Sequence, residues 1–177
     1  VFNKYKQSPE FKIVNSLITL NEFKYIFWWE WFHRFFARFL GIVFIIPFIY
    51  FYLQNKLERN VTFTLIIVFI FGLIQAFVGW WMVKSGLVNN PYVSAYRLSF
   101  HLGIALVIFT IFLWLSLSLY FGKVKIPNRS KTVKLLFHIS LFLIFLTIIS
   151  GSFMAGTDSG KSFNTFPLMN KQFIPDG

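Results

Sequence analysis

The chain has 177 residues, 56% of them hydrophobic and only 13% charged, with a mean hydropathy of +0.65. A soluble domain carries about twice that charged fraction, so the composition excludes a soluble globular fold and points to an integral membrane protein. Cysteine is absent, which excludes disulfide frameworks, thiolate metal sites and cysteine nucleophiles. The net charge of +11 does not gather on one soluble face as it would for a nucleic-acid binder; much of it lies in a short loop between apolar runs.

The chain opens on a polar stretch without an initiator Met and without the basic-then-apolar order of a signal sequence, and it reads as a fragment of a longer chain. Residues 1–30 are expected to form a loop on the outer, periplasmic-side face. Four apolar runs follow, at about Trp31–Tyr52, Val61–Val83, Leu98–Phe121 and Leu135–Ala155. Each approaches or exceeds the roughly 20 residues needed to cross a bilayer core. They lack the period-two alternation of barrel strands, so the expected fold is all-α, a polytopic membrane bundle with four transmembrane helices. Pro47 falls inside the first, where a membrane helix tolerates it because neighbours satisfy the freed carbonyl.

Orientation follows from Lys and Arg in the short loops. Gly122–Lys134 holds Lys123, Lys125, Arg129, Lys131 and Lys134, and Gln54–Asn60 adds Lys56 and Arg59. Between Lys84 and Arg97 only those two end residues are basic. The richer loops are therefore expected to face the cytoplasm or matrix, with Val1–Glu30, Lys84–Arg97 and the tail from Gly156 outside; Lys4, Lys6, Lys12 and Lys24 weigh mildly against this. Trp28, Trp29, Trp31, Trp80 and Trp81 form an aromatic belt at the outer interface.

In that topology His33 and His101 both enter from outside, each roughly one turn below its interface, on two helices that run in parallel. Two imidazoles at one depth on two helices form the arrangement that holds a heme iron between them. Titratable groups within spans are costly and mark function by default. Glu30 lies three residues before His33 and four before Arg34, so the three share a helical face, which continues through Ala37, Arg38 and Gly41. Arg34 and Arg97 are candidates for heme propionates turned toward water; snorkelling to headgroups is at least as good an explanation for Arg97 and Arg38. His138, alone near the inner end of the last helix, reads as structural. Gln75 shares a face with Gly72 and Gly79, which suggests close helix packing with one interhelical hydrogen bond, and Thr147 and Ser150 also read as packing residues.

The run Glu22-Phe23-Lys24-Tyr25-Ile26-Phe27-Trp28-Trp29-Glu30-Trp31-Phe32-His33-Arg34 resembles the signature of the heme A synthase family of proteobacteria and mitochondria. Gly79-Trp80-Trp81-Met82-Val83-Lys84-Ser85-Gly86-Leu87 is similar to its second signature, and Tyr96-Arg97-Leu98 through His101-Leu102 to its third. The stretch from Gly151 to Pro175 resembles the loop opening the family's second half; it includes Ala155-Gly156, Asp158, Gly160, Asn164-Thr165, Phe166-Pro167-Leu168-Met169 and Ile174-Pro175. The resemblance implies an eight-helix protein of two similar halves that oxidises a porphyrin methyl of heme O to a formyl group, giving heme A. It implies that His33 and His101 hold the iron of the substrate heme O and that Glu30 is the essential glutamate. Residues 31–133 would then be three helices of the substrate half and residues 134–177 the first helix and outer loop of the second. A heme b would sit on a second histidine pair beyond this chain, and a further helix would precede it.

By the same family logic, the partners are a heme O-forming farnesyltransferase upstream and a terminal oxidase downstream, and the location is the bacterial or mitochondrial inner membrane. Glu30 is suited by its chemistry to accept a proton, or to stabilise positive charge, as the methyl is oxidised. Two other readings share the apolar runs. A membrane b-type cytochrome subunit would use the histidine pair for electron transfer alone, leaving Glu30 unexplained. An assembly protein without a cofactor would use neither.

Overall fold

In the computed structural model of the chain, residues 1–86, 91–122, 130–157, 159–162, 165, 168–169 and 171–173 are described, with backbone only at 85, 86 and 161. Lys123, Lys125 and Arg129 of the basic loop lie outside the described residues. So do Leu87, Asp158, Asn164, Phe166, Pro167, Ile174 and Pro175 of the family-like motifs.

The first thirty residues differ from the expected loop. Two short helices, α1 (Phe2–Tyr5) and α2 (Pro9–Ile13), precede α3, which begins at Leu20 and runs unbroken past Pro47 to Leu53. The early start has a local cause. Thr19 and Glu22 form a capping box in which the Glu22 carboxylate accepts from the Thr19 N–H at 2.8 Å and the Thr19 hydroxyl accepts from the Glu22 N–H at 3.4 Å. The rings of Phe2 and Tyr5 then close over Phe23, with centroids 5.0 and 4.8 Å away, and Phe23 meets Phe27 at 6.0 Å. Phe23 is buried as a result. At 1.5 Å per residue the 34 residues of α3 extend about 51 Å, against about 30 Å of hydrocarbon, so its first turns stand outside the bilayer core.

Three further helices complete the bundle: α4 (Arg59–Gly86), α5 (Ala95–Phe121) and α6 (Lys131–Gly156), the last followed by a short 3-10 turn, Ser159–Lys161. All four long helices have the length and apolarity to cross a membrane, and no strand occurs among the described residues. Helix α5 is central and packs on α4 and α6. Lipid gives helices no hydrophobic reason to associate, so the contacts are made by small and hydrogen-bonding residues. The Ser152 hydroxyl donates to Ser99 Oγ at 2.6 Å in the buried α5–α6 seam. Gly156 is so close to α5 that a Cβ there would lie 2.8 Å from the Ala95 Cα.

Helix α3 joins this layer mainly through its inner half. Phe44 stacks on Phe69 of α4 at 6.2 Å and meets Phe112 of α5 edge-on at 5.7 Å. Toward its N-terminal end it stands clear, and every residue from Trp28 through Leu40 is exposed. The bundle is thus closed at one end of α3 and open at the other.

Candidate functional site

His101 lies on α5 and turns onto α4. The side-chain amide of Gln75 donates to His101 Nε2 at 3.3 Å, and the ring rests on Gly79, whose missing Cβ would lie 2.9 Å from the ring's Cε1. Any larger residue at position 79 would occupy the space of the imidazole. Two buried polar atoms in this group have no hydrogen-bond partner, Gln75 Oε1 and His101 Nδ1. Buried polar atoms are nearly always paired, so two orphans on adjoining side chains mark a place where a further group belongs.

His33 is exposed on the open stretch of α3. It lines a cleft of about 630 Å³ with Trp29, Phe32, Phe36, Ala37 and Leu40, a size within the range of pockets that take cofactor-sized ligands. The walls are almost wholly apolar, and Ala37 leaves room one turn below the imidazole. His33 thus stands on α3 and His101 on α5.

Glu30 and Arg34 form an ion pair along α3, both about half exposed. The expected shared face is present, but the carboxylate is engaged by the arginine, and neither residue is among those lining the cleft. Arg97, one turn above His101, lies over the Trp81 ring with its guanidinium carbon 4.2 Å from the centroid. Such stacking orients the cation, and the plane of a stacked guanidinium directs its N–H groups outward from the ring. Lys84 lies over Trp80 at 4.6 Å in the same belt.

The remaining polar residues satisfy themselves locally. His138 Nδ1 bonds the Lys134 carbonyl at 2.6 Å, and Thr147 and Ser150 donate to carbonyls of their own helix at 2.8 and 3.0 Å. Gln75 does make an interhelical bond, but its partner is a candidate ligand, which spacing along α4 did not reveal. Gly72 departs from the expected packing, since a Cβ there would meet nothing within 4 Å. The detectable signal was the four-residue interval between Gln75 and Gly79, which places both under one side chain of the neighbouring helix.

Among the described residues no three His, Asp or Glu side chains converge as a metal site. A free zinc ion takes three or four protein ligands. An iron already held by a porphyrin needs only axial ones. The donors present, an imidazole on α5 and another on α3 beside an apolar cleft, are of the kind the second case uses.

The family model described as cytochrome oxidase assembly protein, COX15-CtaA, matches residues 1–177. The chain is 45% identical over 177 residues to the heme A synthase of Nitrosospira multiformis, covering 99% of this chain and 50% of that protein. It is 43% identical over 178 residues to the heme A synthase of Parvibaculum lavamentivorans, covering 99% of this chain and 51% of that protein. It is also 43% identical over 178 residues to that of Wolbachia pipientis, covering 98% and 50%. The chain therefore spans about half the length of the curated relatives it matches. No solved structure matches it.

Proposed function

This chain belongs to the COX15-CtaA family of cytochrome oxidase assembly proteins, and on that premise we propose that it is the substrate-holding part of a heme A synthase. The substrate is heme O, and the reaction oxidises one methyl of its porphyrin to a formyl group, giving heme A for terminal oxidases. The observation that carries this reading is His101 of α5 seated on Gly79 of α4 with a buried, unpartnered Nδ1, together with His33 of α3 lining an apolar cleft. His33 and His101 would hold the substrate iron, and the apolar residues from Trp29 to Leu40 would line its porphyrin.

Arg97, held at the outer rim by Trp81, and Arg34 are the partners of the propionates. Glu30 is paired with Arg34 along α3. A propionate arriving at Arg34 would compete for the guanidinium and release the carboxylate to act near the porphyrin edge. Glu30 would then accept a proton from the methyl under oxidation, or balance the charge developing there. The conversion of –CH3 and water to –CHO releases four electrons and four protons; the electrons would leave through the remainder of the protein, where the family resemblance implies a heme b on a second histidine pair. Residues 31–133 belong to the substrate half and 134–177 open the second. The setting is the bacterial or mitochondrial inner membrane, with a heme O-forming farnesyltransferase as the upstream supplier and a terminal oxidase as the consumer of the product.

The test is pigment analysis of the complete protein. Extracted heme O with some heme A supports the enzyme. Heme B alone, unaffected by loss of either His33 or His101, would contradict it and favour a b-type cytochrome subunit. Glu30→Ala is expected to keep bound heme and to stop formyl formation; a normal yield of heme A from that variant would remove Glu30 from the mechanism.

A further inference from the structure

A ligating imidazole has two nitrogens with opposite duties. One offers a lone pair to the metal, and the other carries a proton that some neighbour must accept; that neighbour fixes the tautomer and the plane of the ring. On His101, Nε2 is engaged by the Gln75 amide at 3.3 Å, while Nδ1 is buried without a partner. In the orientation present, the amide N–H takes the Nε2 lone pair, so the ring proton sits on Nδ1. That leaves both Nδ1–H and Gln75 Oε1 unsatisfied. A half-turn of the amide instead brings Oε1 to Nε2–H. The oxygen is then paired, the amide NH2 takes its former place, and the Nδ1 lone pair becomes the unpaired group of the ring.

We propose that Gln75 is the positioning residue for His101, selecting its tautomer and, together with Gly79, holding the ring in the plane from which it meets the substrate iron. The proposal rests on the reading of His101 as an axial residue and adds a residue on a third helix, α4, to the site. Gly79 supplies the flat seat. Gln75, one turn away on the same face, supplies the directional contact, and neither task can pass to the other. Among the described residues no other hydrogen-bond partner reaches either orphan atom, so the Gln75 amide is the contact that selects which nitrogen of His101 carries the proton.

The experiment uses the complete protein loaded with heme O and reads the rate of heme release, the low-spin electron paramagnetic resonance signal and the reduction potential. Gln75→Leu is expected to speed release from this site by about 10-fold to 100-fold, the loss typical of removing a partner behind a metal-bound imidazole, and to shift the low-spin signal. Gln75→Glu keeps an acceptor for the ring proton and is expected to restore retention while lowering the potential, because a carboxylate draws the imidazole toward imidazolate. If Gln75→Leu does not fold, Gln75→Asn, which withdraws the amide by one methylene, carries the same expectation. A Gln75 variant with lowered thermal stability but unchanged release, signal and potential would overturn the proposal. His101→Ala separates the two levels: heme held normally without His101 defeats the parent reading, whereas loss on His101→Ala with no effect at Gln75 defeats only this one.

Discussion

Gly79 offers the sharpest perturbation of the site, because a single methyl group is aimed at the imidazole. In Gly79→Ala the new Cβ would lie 2.9 Å from His101 Cε1 and 3.5 Å from both ring nitrogens. Carbon atoms rest about 3.5–4.0 Å apart, so the ring must retreat by roughly 0.6–1 Å. It can do so, since the obstacle is the end of a side chain, and the fold should survive. The retreat also lengthens a Gln75 contact that is already 3.3 Å. Displacements of about 1 Å at a reacting centre can lower rates about 100-fold. Gly79→Ala in the complete protein should therefore keep its helical content and thermal stability, shift the absorption of the bound substrate heme, and cut heme A formation by about 10- to 100-fold. Stability is read by thermal unfolding in detergent, the heme by absorption spectra, and the product by pigment extraction. Wild-type spectra and wild-type yield together would refute the placement of His101 against α4.

The same substitution at Gly156 should behave in the opposite way. There the Cβ would lie 2.8 Å from the Ala95 backbone, which cannot rotate aside, so Gly156→Ala should destabilise the α5–α6 seam by about 1–3 kcal/mol in a thermal or denaturant assay, with the spectrum of folded protein unchanged. Ser152→Ala removes the hydrogen bond to Ser99 and should cost about 0.5–1 kcal/mol by the same assay, the range measured for interhelical bonds in membranes. Glu10, in the N-terminal segment outside the spans, has its pKa raised by burial, which outweighs the hydrogen bond from Tyr5. A raised carboxyl favours the neutral docked form, so docking of α1 and α2 on Phe23 should be firmest at pH below the ordinary carboxylate range and loosen as pH rises through the raised value. Hydrogen exchange at Tyr5 and Phe23 reads this, and Glu10→Gln should remove the dependence. Arg97→Gln should weaken heme O retention in the complete protein, measured as heme content after purification, and unchanged content would take Arg97 out of propionate binding.

The four spans were legible because each apolar run is long enough to settle the helix on its own. His33 and His101 stand out in the sequence because polar groups inside such runs are few. The start of α3 was not, although Thr19 and Glu22 spell out the capping box, because the polar composition around them resembles a loop until Phe2, Tyr5 and Phe23 are brought together. The Glu30–Arg34 pair follows from i,i+4 spacing, yet spacing could not tell that the two would hold each other on the flank of the cleft rather than face it. The role of Gln75 depends on how α4 is turned against α5. Intrahelical periodicity carries no information on that angle, so the residue looked like an ordinary packing contact.

The most direct test compares His33→Ala, His101→Ala and the double variant in the complete protein by counting bound heme and its low-spin signal. Two residues gripping the same iron act as one unit, so each single variant should lose the same heme species and the double should lose no more. Independent, additive losses, or a full complement of heme in either single variant, would contradict a shared macrocycle between α3 and α5.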